Sequence, residues 1–248
     1  MKSRMLVWFS CGGPSAVAAK EAIRLYGESH EVLIVNCDTR PSEHGDNYRF
    51  SKEVEAWLGQ PIIYIRNEDY ATIDEVFEKT RYMSGVKGAR CTTELKKIPR
   101  LRFSRPDDIH VFGFTVGERA RAKRFEQRNP DLLLKWVLIE GRRTKASCLE
   151  ELARAGIRQP AMYELEFDNN NCPACAKGSS PWYWDMTRRH FPEAFKRRCE
   201  QSRRLGVRLV EISHHKRIFL DELPAGPFKR RKKKENISCG PECGTTTP

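Results

Sequence analysis

The chain has 248 residues, a length that suits one α/β domain with a smaller appended region, and a net charge of +12, of which +9 falls in residues 176–248. No apolar run is long enough to cross a membrane and the N-terminus lacks the pattern of a signal peptide, so we expect a cytoplasmic protein. The excess of positive charge predicts an anionic partner. The nine cysteines are unevenly spaced and favour metal or redox chemistry over a disulfide framework.

Apolar runs of strand length alternate with amphipathic segments of helix length in the first part of the chain. The predicted strands are 6–9, 31–36, 61–65, 109–114 and 136–140, and the predicted helices are 14–27, 47–58, 72–83 and 145–155. Apolar runs without internal alternation, separated by helices, are typical of a parallel sheet covered on both faces. We therefore predict a doubly wound, Rossmann-like α/β fold with about five parallel strands, which binds ligands at their carboxyl ends.

The strand pattern stops after residue 156. We predict an α/β domain over 1–156 and a basic, cysteine-containing extension over 157–248. Within the extension, 172–206 is interpreted as a CxxC loop followed by a helix, and 224–248 as an irregular basic tail.

The first strand is followed by the turn SCGGPS and then by an alanine-rich helix. A strand that leads through small residues into a helix N-terminus gathers backbone N–H groups around a space that fits a phosphate. The residues of this turn that we assign to phosphate binding are Ser10, Gly12, Gly13 and Ser15. A glycine pair after a strand also occurs as plain turn chemistry.

Four other polar segments are candidate site elements. The loop CDTRPSEHGDN follows the second strand and is either a solvated turn or part of the site; its candidates are Asp38, His44, Asp46 and Asn47. GFTVGERARAKR follows the fourth strand, and its arginines are either a solvated helix face or a phosphate-binding group. WYWDMTRRHFPEAFKRR and FKRRKKK combine aromatic and cationic residues, a combination that nucleic-acid grooves use but that solvated helices also show.

Cysteines occur in three further segments, GARCTTELKK, NCPACAKG and SCGPECG. A CxxC pair is equally at home in a zinc site and in a redox dithiol, and a four-ligand site must gather its cysteines in space. The candidate ligands in these segments are Cys91, Cys172 and Cys175, with Cys239 or Cys243 as a fourth. Cys243 lies near the cationic run 229–234, which would favour its thiolate.

These motifs, in this order, resemble the phosphoadenosine phosphosulfate (PAPS) reductase family of the adenine nucleotide α-hydrolase-like superfamily, most closely its phage or prophage branch. SCGGPS is similar to the family's SGGxDS nucleotide loop, with Cys11 and Pro14 departing from it. RCTTELKKIP is similar to the cluster segment CCxxRKxxP, with Lys96 on its lysine and Thr92 in place of its second cysteine.

The resemblance implies roles for residues of the remaining motifs. It places Asp38, Asp46 and Asn47 beside the nucleotide, and it makes GxxxxExxR a substrate loop with Gly113, Glu118 and Arg119, Arg121 or Arg124. It also implies a [4Fe-4S] cluster with Cys91, Cys172 and Cys175 as ligands, and a nucleophile, Cys243, in the C-terminal ECG, so we assign Cys239 as the fourth ligand.

Three functions follow from these expectations. In the first, PAPS or its unphosphorylated relative APS is reduced, with a dithiol protein as the partner. In the second, ATP, with Mg²⁺, activates a tRNA or DNA for sulfur transfer. The third is a catalytically idle iron–sulfur protein that binds nucleic acid. The ECG ending favours the first function and the basic tail the second.

Overall fold

A five-stranded parallel sheet forms the centre of the protein in a computed structural model, which describes residues 2–85, 88–214 and 216–230. The strands, in chain order, are β1 (Arg4–Trp8), β2 (Glu31–Cys37), β3 (Ile62–Ile65), β4 (Ser84–Gly85), β5 (Gly88–Ala89), β6 (Ile109–Phe112), β7 (Leu133–Lys135), β8 (Val210–Ser213) and β9 (Lys216–Ile218). The central sheet has the order β3-β2-β1-β6-β7 with every pairing parallel, so the predicted fold class is confirmed.

Helices cover this sheet on both faces, and others pack in a separate core. In chain order the helices are α1 (Gly13–Tyr26), α2 (Asp46–Leu58), α3 (Ile73–Thr80), α4 (Arg90–Thr92), α5 (Ile98–Phe103), α6 (Arg119–Gln127), α7 (Val137–Glu140), α8 (Lys145–Arg154), α9 (Ala161–Glu164), α10 (Pro181–His190) and α11 (Pro192–Arg204). A π-helical turn, Thr93–Lys97, joins α4 to α5. Among the described residues, no helix is long and apolar enough to cross a membrane.

The two faces of the sheet carry separate cores. Alternate strand residues point to opposite faces, so Val7 and Val111 pack with α1, α2 and α8, whereas Trp8 and Phe112 pack with α6. A third core joins Phe77 of α3 to Trp184 of α10. The chain segments predicted as domain and extension therefore share buried side chains.

The predicted fifth strand was wrong in its position. The strand is β7, and residues 137–140 of the predicted run form helix α7, closed by hydrogen bonds from Glu140 N to Trp136 O (2.9 Å) and from Gly141 N to Val137 O (3.0 Å). Val137 and Leu138 are buried in the core that α1 also joins. A short apolar run fits a buried helical turn as well as a strand, and periodicity does not separate the two.

Two further corrections concern the extension. The single helix predicted after the CxxC loop is two helices, because Pro192 starts a new helix and cannot donate a hydrogen bond within α10. The hairpin β8–β9 lies where no strand was predicted. Its four- and three-residue strands are too short and too polar to show alternation.

Candidate functional site

The SCGGPS turn lies at the carboxyl end of β1, between β1 and α1. The strand order runs outward from here in both directions, through β2 and β3 on one side of β1 and through β6 and β7 on the other, which places this turn at the topological switch point, where open α/β sheets bind ligands. Cys11 adopts a left-handed backbone with φ 54° and is fully buried. Its sulfur lies 3.4 Å from the Ser51 hydroxyl, so this residue anchors the turn to α2.

Ser15 holds the turn together from inside. Its hydroxyl accepts hydrogen bonds from the backbone N–H groups of Ser10 (3.1 Å) and Gly12 (3.3 Å) and donates to Gly12 O (2.9 Å). The Ser10 hydroxyl donates to the Ser15 Oγ at 3.3 Å. The N–H groups that a phosphate would use therefore already converge on one oxygen, the Ser15 Oγ.

The glycines around the turn differ in what surrounds them. A methyl group on Gly12 would make ordinary contacts with hydroxyls, the nearest being that of Tyr163 at 3.5 Å. One on Gly13 would lie 2.7 Å from Leu149 of α8, and one on Gly113 would lie 2.8 Å from both the N and the Cα of Ser15. Gly12 therefore faces a polar space, whereas the other two glycines permit close packing of α8 and β6 on α1.

Tyr163 of α9 is a site residue that sequence reasoning did not single out. Burial raises the pKa of its hydroxyl to about 12, the charge of Glu118 acts in the same direction, and hydrogen bonds with the backbone N–H of Asn170 and Gly13 lower it in part. The ammonium of Lys145 lies 4.3 Å from the ring centroid. A neutral phenol thus sits among the glycine turn, Glu118 and the segment that precedes the CxxC.

A buried polar network joins the glycine turn to the second loop. The Asn170 amide donates to Cys11 O (2.6 Å) and to Asn47 Oδ1 (2.7 Å), and Asn47 in turn donates to Glu43 (2.7 Å). The side chain of Glu43 is 6% exposed, and its carboxylate lies 3.9 Å from the Lys96 ammonium. The structure therefore brings together Asn47, Lys96 and the turn, through Glu43 and Asn170, which have no local sequence signal.

Asp38 and Asp46 are both held by arginines. Burial opposes ionisation of Asp38, but its two hydrogen bonds with Arg40 (2.7 and 2.9 Å) and the Arg40 charge leave its pKa below the usual range. The Arg40 guanidinium is stacked 3.7 Å from the Tyr64 ring centroid. Asp38 therefore orders this loop by positioning Arg40.

Asp46 ties α2 to α9. Its carboxylate accepts hydrogen bonds from Arg49 (2.6 and 2.8 Å), from Arg158 (3.4 Å) and from the backbone N–H of Ala161 (2.9 Å). The Arg49 bonds lower its pKa most, against a smaller effect of burial. Asp46 thus fixes the segment that carries Tyr163.

The loop after β6 places Glu118 and Arg121 beside the turn. Glu118 accepts from the backbone N–H and the hydroxyl of Thr115 (3.1 and 3.2 Å) and pairs with Arg121 at 2.7 Å. The Arg121 guanidinium lies 4.4 Å from the Phe114 ring centroid. Arg119 and Arg124 are exposed on α6. The expectation that Glu118 orients Arg121 matches this ion pair.

Cys91, Cys172 and Cys175 lie in the same buried core, and each is less than 8% exposed. Across the residues that the structure describes, no group of three or more His, Cys, Asp or Glu side chains is arranged to hold a metal ion. Cys239 and Cys243 lie outside the described residues. The buried donors supply thiol chemistry suited to iron or zinc, and the four-ligand site stays a prediction.

Burial keeps three other cysteines in the protonated thiol form. Burial raises the pKa of Cys11 to about 12 and those of Cys148 and Cys199 to about 11. Thiols with such pKa values carry little thiolate at neutral pH, so they are poor nucleophiles and poor metal ligands.

A cavity of about 430 Å³ opens beside the CxxC loop. His44, Asp74 and Arg198 line it together with Pro173 and Ala174, the two residues between the cysteines. His44 therefore faces the cysteine loop, whereas none of the residues 10–15 lines this cavity.

No protein-family model matches the chain, and no curated protein matches it significantly.

Proposed function

We propose that this protein binds an adenine nucleotide at the switch point of its sheet and reduces a sulfonucleotide, PAPS or APS, with a thiol. The observation that carries the proposal is the convergence of the SCGGPS turn, Tyr163 and the Glu118–Arg121 pair at the carboxyl ends of β1 and β6. N–H groups at a helix N-terminus and an oriented guanidinium are the donors that phosphate and sulfate oxygens take.

In this proposal the residues around the turn bind the nucleotide, and the C-terminal thiol reacts with its sulfate group. The Cys243 thiolate attacks the sulfate sulfur, a sulfur–sulfur bond forms, and the nucleotide leaves with the electron pair of the broken sulfur–oxygen bond. A dithiol protein then attacks Cys243 Sγ, sulfite leaves, and a second thiol of that protein closes its disulfide, which supplies the two electrons.

Four thiolates, from Cys91, Cys172, Cys175 and Cys239, would hold the proposed iron–sulfur cluster. Such a cluster would tune the electrostatics of the site when bound. Lys96 is buried and follows Cys91 in the same helical segment, and its ammonium lies 3.9 Å from the Glu43 carboxylate. Its ammonium would favour anionic groups on this side of the site.

A second candidate function is ATP-dependent sulfur transfer to a tRNA or DNA. The exposed arginines of α6, the helix that follows the Glu118 loop, are the observation in its favour. In this candidate, the turn would hold the ATP phosphates and adenylylation would activate the acceptor.

The test combines anaerobic purification, metal analysis and titration calorimetry with PAPS, APS and ATP. We expect about four irons per chain, the content of one cubane cluster, and binding of PAPS or APS at least about tenfold tighter than ATP. Preference for ATP would support the sulfur-transfer candidate. Binding of none of the three would refute the nucleotide site, and stoichiometric zinc without iron would refute the cluster.

A glycine substitution locates the nucleotide in the turn. Gly12→Val places methyl groups in the polar space bounded by the Ser10, Ser15 and Tyr163 hydroxyls, and the Gly12 backbone has an ordinary extended conformation. We expect at least about a tenfold loss of affinity, or about 1.4 kcal/mol, with little loss of stability. Unchanged affinity in the folded variant would place the nucleotide elsewhere.

A further inference from the structure

The outer face of α6 is strongly cationic. Residues 119–128 contain five Arg or Lys residues and one acid, Glu126. Ala122 and Phe125 turn inward and pack on the sheet, which leaves Arg119, Lys123 and Arg124 exposed. Because the helix is anchored by its apolar side, these cations are carried on a rigid support rather than on a loose loop.

Three exposed cations of α6 form no ion pair within the part of the chain that the structure describes. Arg119, Lys123 and Arg124 form no ion pair and no side-chain hydrogen bond with any other described residue. Some exposed arginines elsewhere are paired, for example Arg204 with Glu78, whereas Arg81, Arg102 and Arg154 are single exposed cations outside a helical cluster. Clustered cations of this kind repel one another, and an external polyanion relieves that repulsion.

The cationic surface continues beyond the helix. The backbone N–H of Val116, just before α6, donates to Arg143 O at 2.8 Å, which brings the loop that contains Arg142 against the start of the helix. Arg142 is exposed and likewise forms no ion pair within the described parts of the chain. We call Arg119, Lys123, Arg124 and Arg142 the α6 surface.

The composition of the α6 surface selects a duplex over a single strand. Proteins that bind single strands stack the bases on exposed aromatic rings, and the one aromatic residue of α6, Phe125, is buried. The rise of about 1.5 Å per residue spreads the cations of α6 over roughly one turn and a half, along which duplex DNA carries one charge per about 1.7 Å.

The shape of the surface selects DNA over RNA. A convex helix with long cationic side chains fits the major groove of B-form DNA, about 12 Å wide, and the phosphates on its rims. The major groove of A-form RNA is too deep and narrow for such side chains. We propose that the α6 surface binds the backbone of duplex DNA, beside the candidate nucleotide site but independently of its chemistry.

The test is binding of the full chain to a fluorescein-labelled DNA duplex of 24 base pairs, measured by anisotropy at several salt concentrations. We expect Lys123→Glu combined with Arg124→Glu to weaken binding at least about tenfold and to reduce the salt slope by about 2, since two phosphate contacts are lost. Lys123→Arg combined with Arg124→Lys keeps the charge and should retain the affinity within about threefold.

A matched control reverses two charges on the other face of the sheet, with Arg24→Glu in α1 and Lys52→Glu in α2. Both side chains are exposed, and the net charge changes as much as in the α6 variant. We expect an affinity within about threefold of wild type, because distant exposed charges are screened. Equal losses in the two variants would show a response to net charge alone and would overturn the proposal.

Two further arms complete the test. An RNA hairpin and a single-stranded DNA of equal length should bind at least about tenfold more weakly than the duplex at the same salt concentration. Preference for either would overturn the assignment to duplex DNA. Full affinity of the folded α6 variant would likewise refute it, and circular dichroism establishes that the variant is folded.

Discussion

Gly113 controls how closely β6 approaches the glycine turn. A methyl group on this residue would lie 2.8 Å from two backbone atoms of Ser15, which cannot move without displacing the start of α1. Its assignment to the nucleotide site came from a resemblance alone. In the structure it borders the site by allowing contact between backbones rather than by offering a ligand of its own.

Substitution of Gly113 provides a prediction at this scale. Gly113→Ala should destabilise the protein by about 1–3 kcal/mol, the usual cost of an extra methyl group in a packed region. Gly117→Ala is the matched control, because nothing lies within 4 Å of its added methyl group. Its cost should stay within about 0.5 kcal/mol. Urea denaturation measures both, and equal stability of the two variants would contradict the close approach.

The segment containing α9 is positioned by a carboxylate of another helix. The side chain of Asp46 in α2 is 10% exposed, and its carboxylate accepts hydrogen bonds from Arg49 and from the Ala161 N–H. These contacts set where Tyr163 meets the turn. Resemblance predicted that Asp46 lies beside the nucleotide. That stays a prediction, and the observed contacts show that Asp46 holds an element that reaches the candidate site.

Removal of this carboxylate should loosen α9. Asp46→Ala is expected to cost about 1.5–3 kcal/mol, the range for hydrogen bonds to a charged group, and to increase amide exchange over residues 158–167. Glu53→Ala removes the other partner of Arg49, a carboxylate that is 38% exposed, and should cost less than about 1 kcal/mol. Hydrogen exchange unchanged in the Asp46 variant would show that α9 is held by other contacts.

At the scale of the whole molecule, a buried histidine in the centre of the sheet makes the stability of the fold depend on pH. His110 of β6 is 1% exposed, and its Nδ1 accepts a hydrogen bond from Trp8 Nε1 at 3.0 Å, so the ring is neutral. Burial, with a smaller effect of the Arg100 charge, lowers its pKa to about 4. The folded protein therefore resists protonation at a position where the unfolded chain accepts a proton.

The sign of the resulting pH dependence follows from proton uptake. Between pH 7 and 5 the unfolded state, with an ordinary histidine pKa of about 6.5, gains a proton that the folded state does not. Stability should therefore fall by about 2 kcal/mol over this range because of His110. His110→Gln should remove that part of the slope in denaturant titrations. An identical slope in the folded variant would contradict the low pKa.

The sequence alone determined the architecture of this protein, because burial of a sheet on both faces forces continuous apolar strands separated by helices. It also placed the SCGGPS turn correctly, since the order of strand, small residues and helix fixes that geometry locally. The predicted strand at 136–140 failed for the opposite reason. Whether Val137 and Leu138 are buried in a strand or a helix depends on what packs on them.

Tertiary structure alone decided how the site is built. Asn170 reaches Cys11 across 159 residues of chain, and Ala161 reaches Asp46 across 115, distances over which no local pattern carries information. The sequence selected residue types that bind anions or thiophilic metals. Which of them touch the turn, which only support it and which face outward was set by the packing of α2, α6 and α9, because a side chain's role depends on neighbours that folding brings to it.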